Sequence, residues 1–153
     1  MVTTLYRSLL TVLAMATLAV AADLPRSSGT PEDPDLSDAR ARIEAKDWPG
    51  AVDILKKAVA RDPANAEYHN LFAYSARHTA NPDMNVVFQH YREALRIAPK
   101  HRGAHEYIGE AYLMVGDLPK AKEHLAALDK LCFFSCAEYR DLKKAIERYE
   151  KKK

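Results

Sequence analysis

The 153-residue sequence predicts an all-α chain: a solenoid of antiparallel helix pairs closed by one C-terminal helix. Three observations predict it. Apolar residues recur at helical spacing from about position 37 onward. A pattern of small and large side chains returns every 34 to 36 positions, the length of two short helices and their turns. The last stretch, SCAEYRDLKKAIERYEKKK, carries one apolar stripe and one charged face, as a closing helix must.

Before the helices, MVTTLYRSLLTVLAMATLAVAAD has one positive charge, Arg7, then an apolar run from Leu9 to Ala22 that closes on small residues. This is the plan of a secretory signal peptide over residues 1–22, with a core too short for a comfortable membrane span. Cleavage there leaves about 131 residues, a net charge of about +1 and no stable membrane anchor. Residues 23–36 hold three prolines, a glycine and two serines without apolar periodicity, so a flexible segment is expected, with order starting near Ser37. Lysines and glutamates are interleaved throughout, apart from Lys151-Lys152-Lys153, and nothing marks a nucleic-acid footprint.

Three segments then align: KDWPGAVDILKKAVARDP, DMNVVFQHYREALRIAP and GDLPKAKEHLAALDKLC. Each has a small or branched residue (Ala51, Val87, Ala121), a large apolar one four later (Leu55, Tyr91, Leu125), then Ala58, Ala94 or Leu128. AEYHNLFAYSARHT and RGAHEYIGEAYLMVG precede the second and third, each one helix long. Asp47 and Asp117 stand where a carboxylate caps the following helix, and Pro49 and Pro119 follow in the first turn, where a missing N–H costs nothing. Pro63 and Pro99 stop the second helix of their pairs. Small side chains at Ala51, Ala73, Gly109 and Ala121 let paired helices approach closely.

On these residues, positions 37–134 resemble three tetratricopeptide repeats. The third matches best, through His105, Ile108, Gly109, Tyr112, Gly116-Asp117, Ala121 and Leu125. The second carries about two extra residues in ARHTANPDM, and the first is degenerate in its leading helix, with Asp35 where a large aromatic is usual. Residues 135–153 form the capping helix and basic tail; Cys136, Tyr139, Leu142, Ala145, Ile146 and Tyr149 make its apolar stripe.

The only two cysteines, Cys132 and Cys136, end the third repeat and open the capping helix across a three-residue turn. An even count in an exported chain favours a disulfide that staples this helix to the array. Two soft thiolates holding a metal, a redox-active pair and free thiols stand as alternatives. Ser135 followed by Glu138 reads as a capping box, with Phe134 and Tyr139 at the hydrophobic-staple positions. His101 and His105, four apart, make a weak ligand pair without a third ligand at zinc spacing, and His69 and His105 occupy equivalent positions, which argues for packing.

No catalytic motif is present, and carboxylates fall on helix faces among lysines, so no enzyme activity and no cofactor are expected. The tetratricopeptide resemblance implies a concave face lined by the first helix of each pair, suited to a peptide or partner helix. It places Arg40, Ile43 and Glu44 there from the first repeat; Glu67, Asn70, Tyr74, Arg77 and His78 from the second; and Glu106, Glu110, Leu113 and Met114 from the third. The lysine and asparagine pattern with which some members clamp a terminal carboxylate is not reproduced. The expectation is a periplasmic or secreted module that holds another protein; a small metal-binding or thiol-redox accessory protein built on Cys132 and Cys136 is the alternative.

Overall fold

A computed structural model describes residues 33–152. The expected signal peptide, 1–22, and most of the segment at 23–36 lie outside the described residues. Seven helices follow in order: α1 (Pro34–Glu44), α2 (Trp48–Arg61), α3 (Ala66–Arg77), α4 (Met84–Ile97), α5 (Arg102–Met114), α6 (Leu118–Leu131) and α7 (Ala137–Glu150). Each helix packs on the next, and α5 also holds α7. The first helices of successive pairs, α1, α3 and α5, touch one another along the inner face.

Local chemistry sets the boundaries. The Asp47 carboxylate accepts from Gly50 N–H and the Asp117 carboxylate from Lys120 N–H, each with proline in the first turn. Asn65 and Asp83 cap α3 and α4 in the same way. The turns α1–α2 and α5–α6 are one motif used twice. Asp47 N–H reaches back to Arg42 C=O and Asp117 N–H to Tyr112 C=O, around a left-handed residue. That residue is Gly116 in one turn, with φ 83°, and Lys46 in the other, with φ 57°.

Two adjoining apolar clusters form the core. Ala39, Ala51, Leu55, Ala58, Tyr68, Leu71 and Phe72 weld the first pair to α3. Ala73, Val87, Tyr91, Ile108, Tyr112, Ala121, Leu128, Leu142 and Ile146 join the remaining helices. Ala51, Ala73 and Ala121 are wholly buried, as the small-residue argument requires. Gly109 marks a close approach between α5 and α7: a Cβ there would stand 2.7 Å from a Leu142 methyl group.

Three local expectations are corrected. Helix α1 opens at Pro34, before Ser37, because Asp33 accepts from Asp35 N–H and Pro34 supplies a preset first turn. Helix α7 is not capped by Ser135. Its N-cap is Cys136, without a side-chain cap bond, and Ser135 instead offers its carbonyl to the Arg140 guanidinium at 2.9 Å. Nor does Phe134 staple the helix, because it stands 83% exposed beside Phe133 at 94%. The link from Cys132 to Cys136 accounts for both: the sulfurs lie at bonding distance with Cα atoms 5.7 Å apart, and that short ring leaves both phenyl rings pointing to solvent.

Candidate functional site

Helices α1, α3 and α5 enclose a cavity of about 300 Å³ on the inner face. Arg40, Ile43, Glu44, Glu67, Asn70 and Tyr74, all expected there, line it, together with Leu71, His101, Gly103 and Tyr107. Glu67 is its electrostatic centre. One carboxylate oxygen accepts from Arg40 Nη2 at 2.9 Å, and the other from Asn70 Nδ2 at 3.1 Å and His101 Nε2 at 2.8 Å. Burial alone would raise the Glu67 pKa, but these donors overcome it and hold the carboxyl below its ordinary range. His101 caps α5 by accepting from Ala104 N–H at Nδ1, so its proton sits on Nε2 and points at Glu67. A capping histidine thus joins the third pair to the second.

The rest of the inner face is more crowded. Arg77 is a buried strut: its side chain is 5% exposed and it donates to Glu110. The guanidinium lies 5.2 Å from the Tyr74 ring centre and 5.7 Å from that of Tyr107. Burial opposes its charge, but the surrounding phenols and Glu110 prevail and raise its pKa. Glu106 is pushed up to about 7 by burial and then by the carboxylates of Glu110, Asp141 and Glu138. Burial, then Glu106, pushes the Tyr107 phenol up to about 12.

The expected groove residues therefore part company in the structure. Six line the cavity: Arg40, Ile43, Glu44, Glu67 and Tyr74 with exposed or half-exposed groups, and Asn70 with a buried one. Arg77 and Glu110 support its floor. His78 stacks on Trp48 and on Tyr74, each with ring centres 4.6 Å apart, which extends an aromatic row through Tyr74 to Tyr107. Leu113 and Met114 lie elsewhere, in a second cleft of about 240 Å³ against Ala145, Arg148 and Tyr149 of α7. Glu106 does not line the cavity; it feels the carboxylates of Glu110 and of Asp141 and Glu138 on α7.

Sequence reasoning missed His101 and Tyr107 as lining. The signal for His101 lies in its register: it stands two residues after Pro99, as Asn65 stands two after Pro63, and both are N-caps. His101 and His105 do not converge; His105 turns to His124 of α6. Among the described residues, no group of three or more histidine, cysteine or acidic side chains is disposed to hold a metal, and no helix is long and apolar enough to cross a membrane.

No family model matches this sequence, and neither does any curated protein. Solved structures do resemble it. The TPR2B domain of yeast Sti1, in its complex with pHsp70, superposes with a TM-score of 0.69 at 16% identity over 78% of this chain and 96% of that one. The Sgt2 TPR domain from Aspergillus fumigatus gives 0.67 at 24% identity over 84% and 83% of the two chains. The first TPR of Spaghetti (RPAP3), bound to the HSP90 peptide SRMEEVD, gives 0.65 at 15% identity over 76% and 91%.

Proposed function

We propose that this chain, which has the all-α fold of tetratricopeptide arrays, is an exported binding module that grips a segment of a partner protein along its inner face. The observation that carries the reading is the cavity itself. Three successive first helices contribute to it, and it combines apolar walls (Ile43, Leu71, Tyr74, Tyr107) with charged and amide groups (Arg40, Glu44, Glu67, Asn70). Such a mixed, preformed concavity suits a peptide segment. Two of the similar structures are complexes, one with pHsp70 and one with an HSP90 peptide.

The leader supports a periplasmic or secreted location, which in turn favours a closed Cys132–Cys136 bond acting as a staple between α6 and α7. No catalytic constellation motivates an enzymatic reading.

The test uses the chain without its leader as bait in native envelope extract, beside a variant carrying Glu44→Arg and Tyr74→Ala. Both positions line the cavity without belonging to the buried Arg77–Glu110 pair. The variant should keep its helical circular dichroism and lose the captured proteins. Recovery of the same proteins by both baits would remove the groove from the account.

A further inference from the structure

Two histidine pairs occupy matching places in α3–α4 and α5–α6. His69 Nδ1 lies 2.9 Å from His90 Nδ1, and His69 Nε2 lies 3.1 Å from the Pro63 carbonyl oxygen. In the next pair, His105 Nδ1 lies 2.9 Å from His124 Nδ1, and His105 Nε2 lies 3.0 Å from the Pro99 carbonyl oxygen. The same four-part arrangement recurs one repeat later, using the proline carbonyl that follows the preceding hairpin's last helix.

The chemistry fixes every tautomer. A carbonyl only accepts, so Nε2 of His69 and of His105 carries the proton. In a neutral ring Nδ1 is then bare and accepts, so His90 and His124 donate from their own Nδ1. One added proton can be absorbed without losing the contact. One of the two facing Nδ1 atoms still lacks a proton and accepts from the other. A second added proton sets N–H against N–H between two cationic rings, and the contact has to open.

We propose that the two pairs are proton-operated clasps, closing α3 on α4 and α5 on α6 at neutral pH and releasing both hairpins in acid. The surroundings favour the neutral form. Burial first, then the facing histidine, pushes His90 and His124 down to about 4. The Phe72 ring lies 4.2 Å from that of His90, whose nearby carboxylate, Glu93, opposes the shift while engaged by Arg96. Tyr112 stacks on His124 at 5.7 Å, and the Lys120 ammonium adds to the downward push there. Beside the first pair, a cavity of about 200 Å³ bounded by Pro63, Gln89 and Glu93 gives the ring room to swing outward. Because the unfolded chain takes up these protons near 6.5 and the native chain only near 4, the stabilisation is complete above 6.5 and fades as pH falls toward 4.

Nitrogen-15 NMR of the histidine rings tests this on the unaltered protein. At pH 7.5, His69 and His105 should carry their proton on Nε2 and His90 and His124 on Nδ1, with midpoints of the latter two below 5. Nε2–H tautomers at His90 and His124, or midpoints near 6.5, would overturn the clasp. Thermal melts between pH 7.5 and 4.5 give the second reading, with a His90→Asn and His124→Asn variant whose amide donates from nearly the same place without titrating. The variant's acid-induced fall in Tm should be half that of the unaltered chain or less. Parallel falls would refute the proposal, and a variant that cannot fold leaves the NMR result to decide.

Discussion

The inner face and the seams inside the hairpins settle their polar groups in different ways. In the seams, His69 meets His90 and His105 meets His124, each pair anchored on a proline carbonyl, and the arrangement is copied from one repeat to the next. On the inner face the partners come from different repeats and no pairing recurs. Arg40 and His101 converge on Glu67, while Arg77 takes Glu110. Asn70 Oδ1 and Arg77 Nε are buried there without a hydrogen-bond partner, as is the Tyr91 hydroxyl behind them. What repeats builds the scaffold, and what does not repeat makes this groove different from another built on the same scaffold.

The sharpest way to break the comparison is at Arg77. If the inner face depends on one cross-repeat strut, Arg77→Ala should cost about 3 kcal/mol or more, because Glu110 and the two tyrosine rings lose their buried cation. Urea denaturation of variant and parent measures it, and a loss below about 1 kcal/mol, the range of an exposed pair, would make the strut ornamental.

A smaller effect with a distinctive sign is expected at Glu106. Its native pKa of about 7 lies above the unfolded value, so the native chain binds a proton that the unfolded chain has released between roughly pH 4.5 and 7. That contribution is full below 4.5 and lost as pH rises through 7. Glu106→Gln should therefore raise stability at pH 8, by on the order of 1 kcal/mol after solvent screening, and leave it unchanged at pH 4. An equal gain at both pH values would show that charge crowding is not the cause. The slope is opposite to that of the histidine clasps, so the two regions separate in a single series of melts.

The smallest effect is expected at Tyr91, wholly buried beneath Arg77 with its hydroxyl lacking a partner. Tyr91→Phe should change stability by less than about 0.5 kcal/mol, or raise it, since no hydrogen bond is lost. A drop of 2 kcal/mol in calorimetry would reveal a bond that holds this hydroxyl.

Much of the scaffold was legible because it rests on local rules. Asp47, Asp117, Pro49 and Pro119 start helices, Pro63 and Pro99 follow their ends, and alanines mark the seams. The histidine pairs were half legible. The equivalence of His69 and His105 is visible in the spacing, whereas pairing with His90 and His124 depends on two helices facing in register. The site was less so. Family register puts Arg77 in the groove, yet only tertiary packing shows that its charge is spent on Glu110 and two aromatic rings. The Ser135 box failed because a rule for isolated helix starts competes with a ring closed by Cys132 and Cys136, which delays the helix and exposes Phe133 and Phe134.

Gly109 limits how this array could be lengthened. Leu142 of the last helix reaches within 2.7 Å of where a Cβ would stand, so the pocket left by the missing side chain is already filled. An engineer splicing a further two-helix unit between α6 and α7 would have to supply an isobutyl group at that very spot, or leave a hole the size of one. Whatever helix follows α6 therefore has to present the same branched side chain to Gly109.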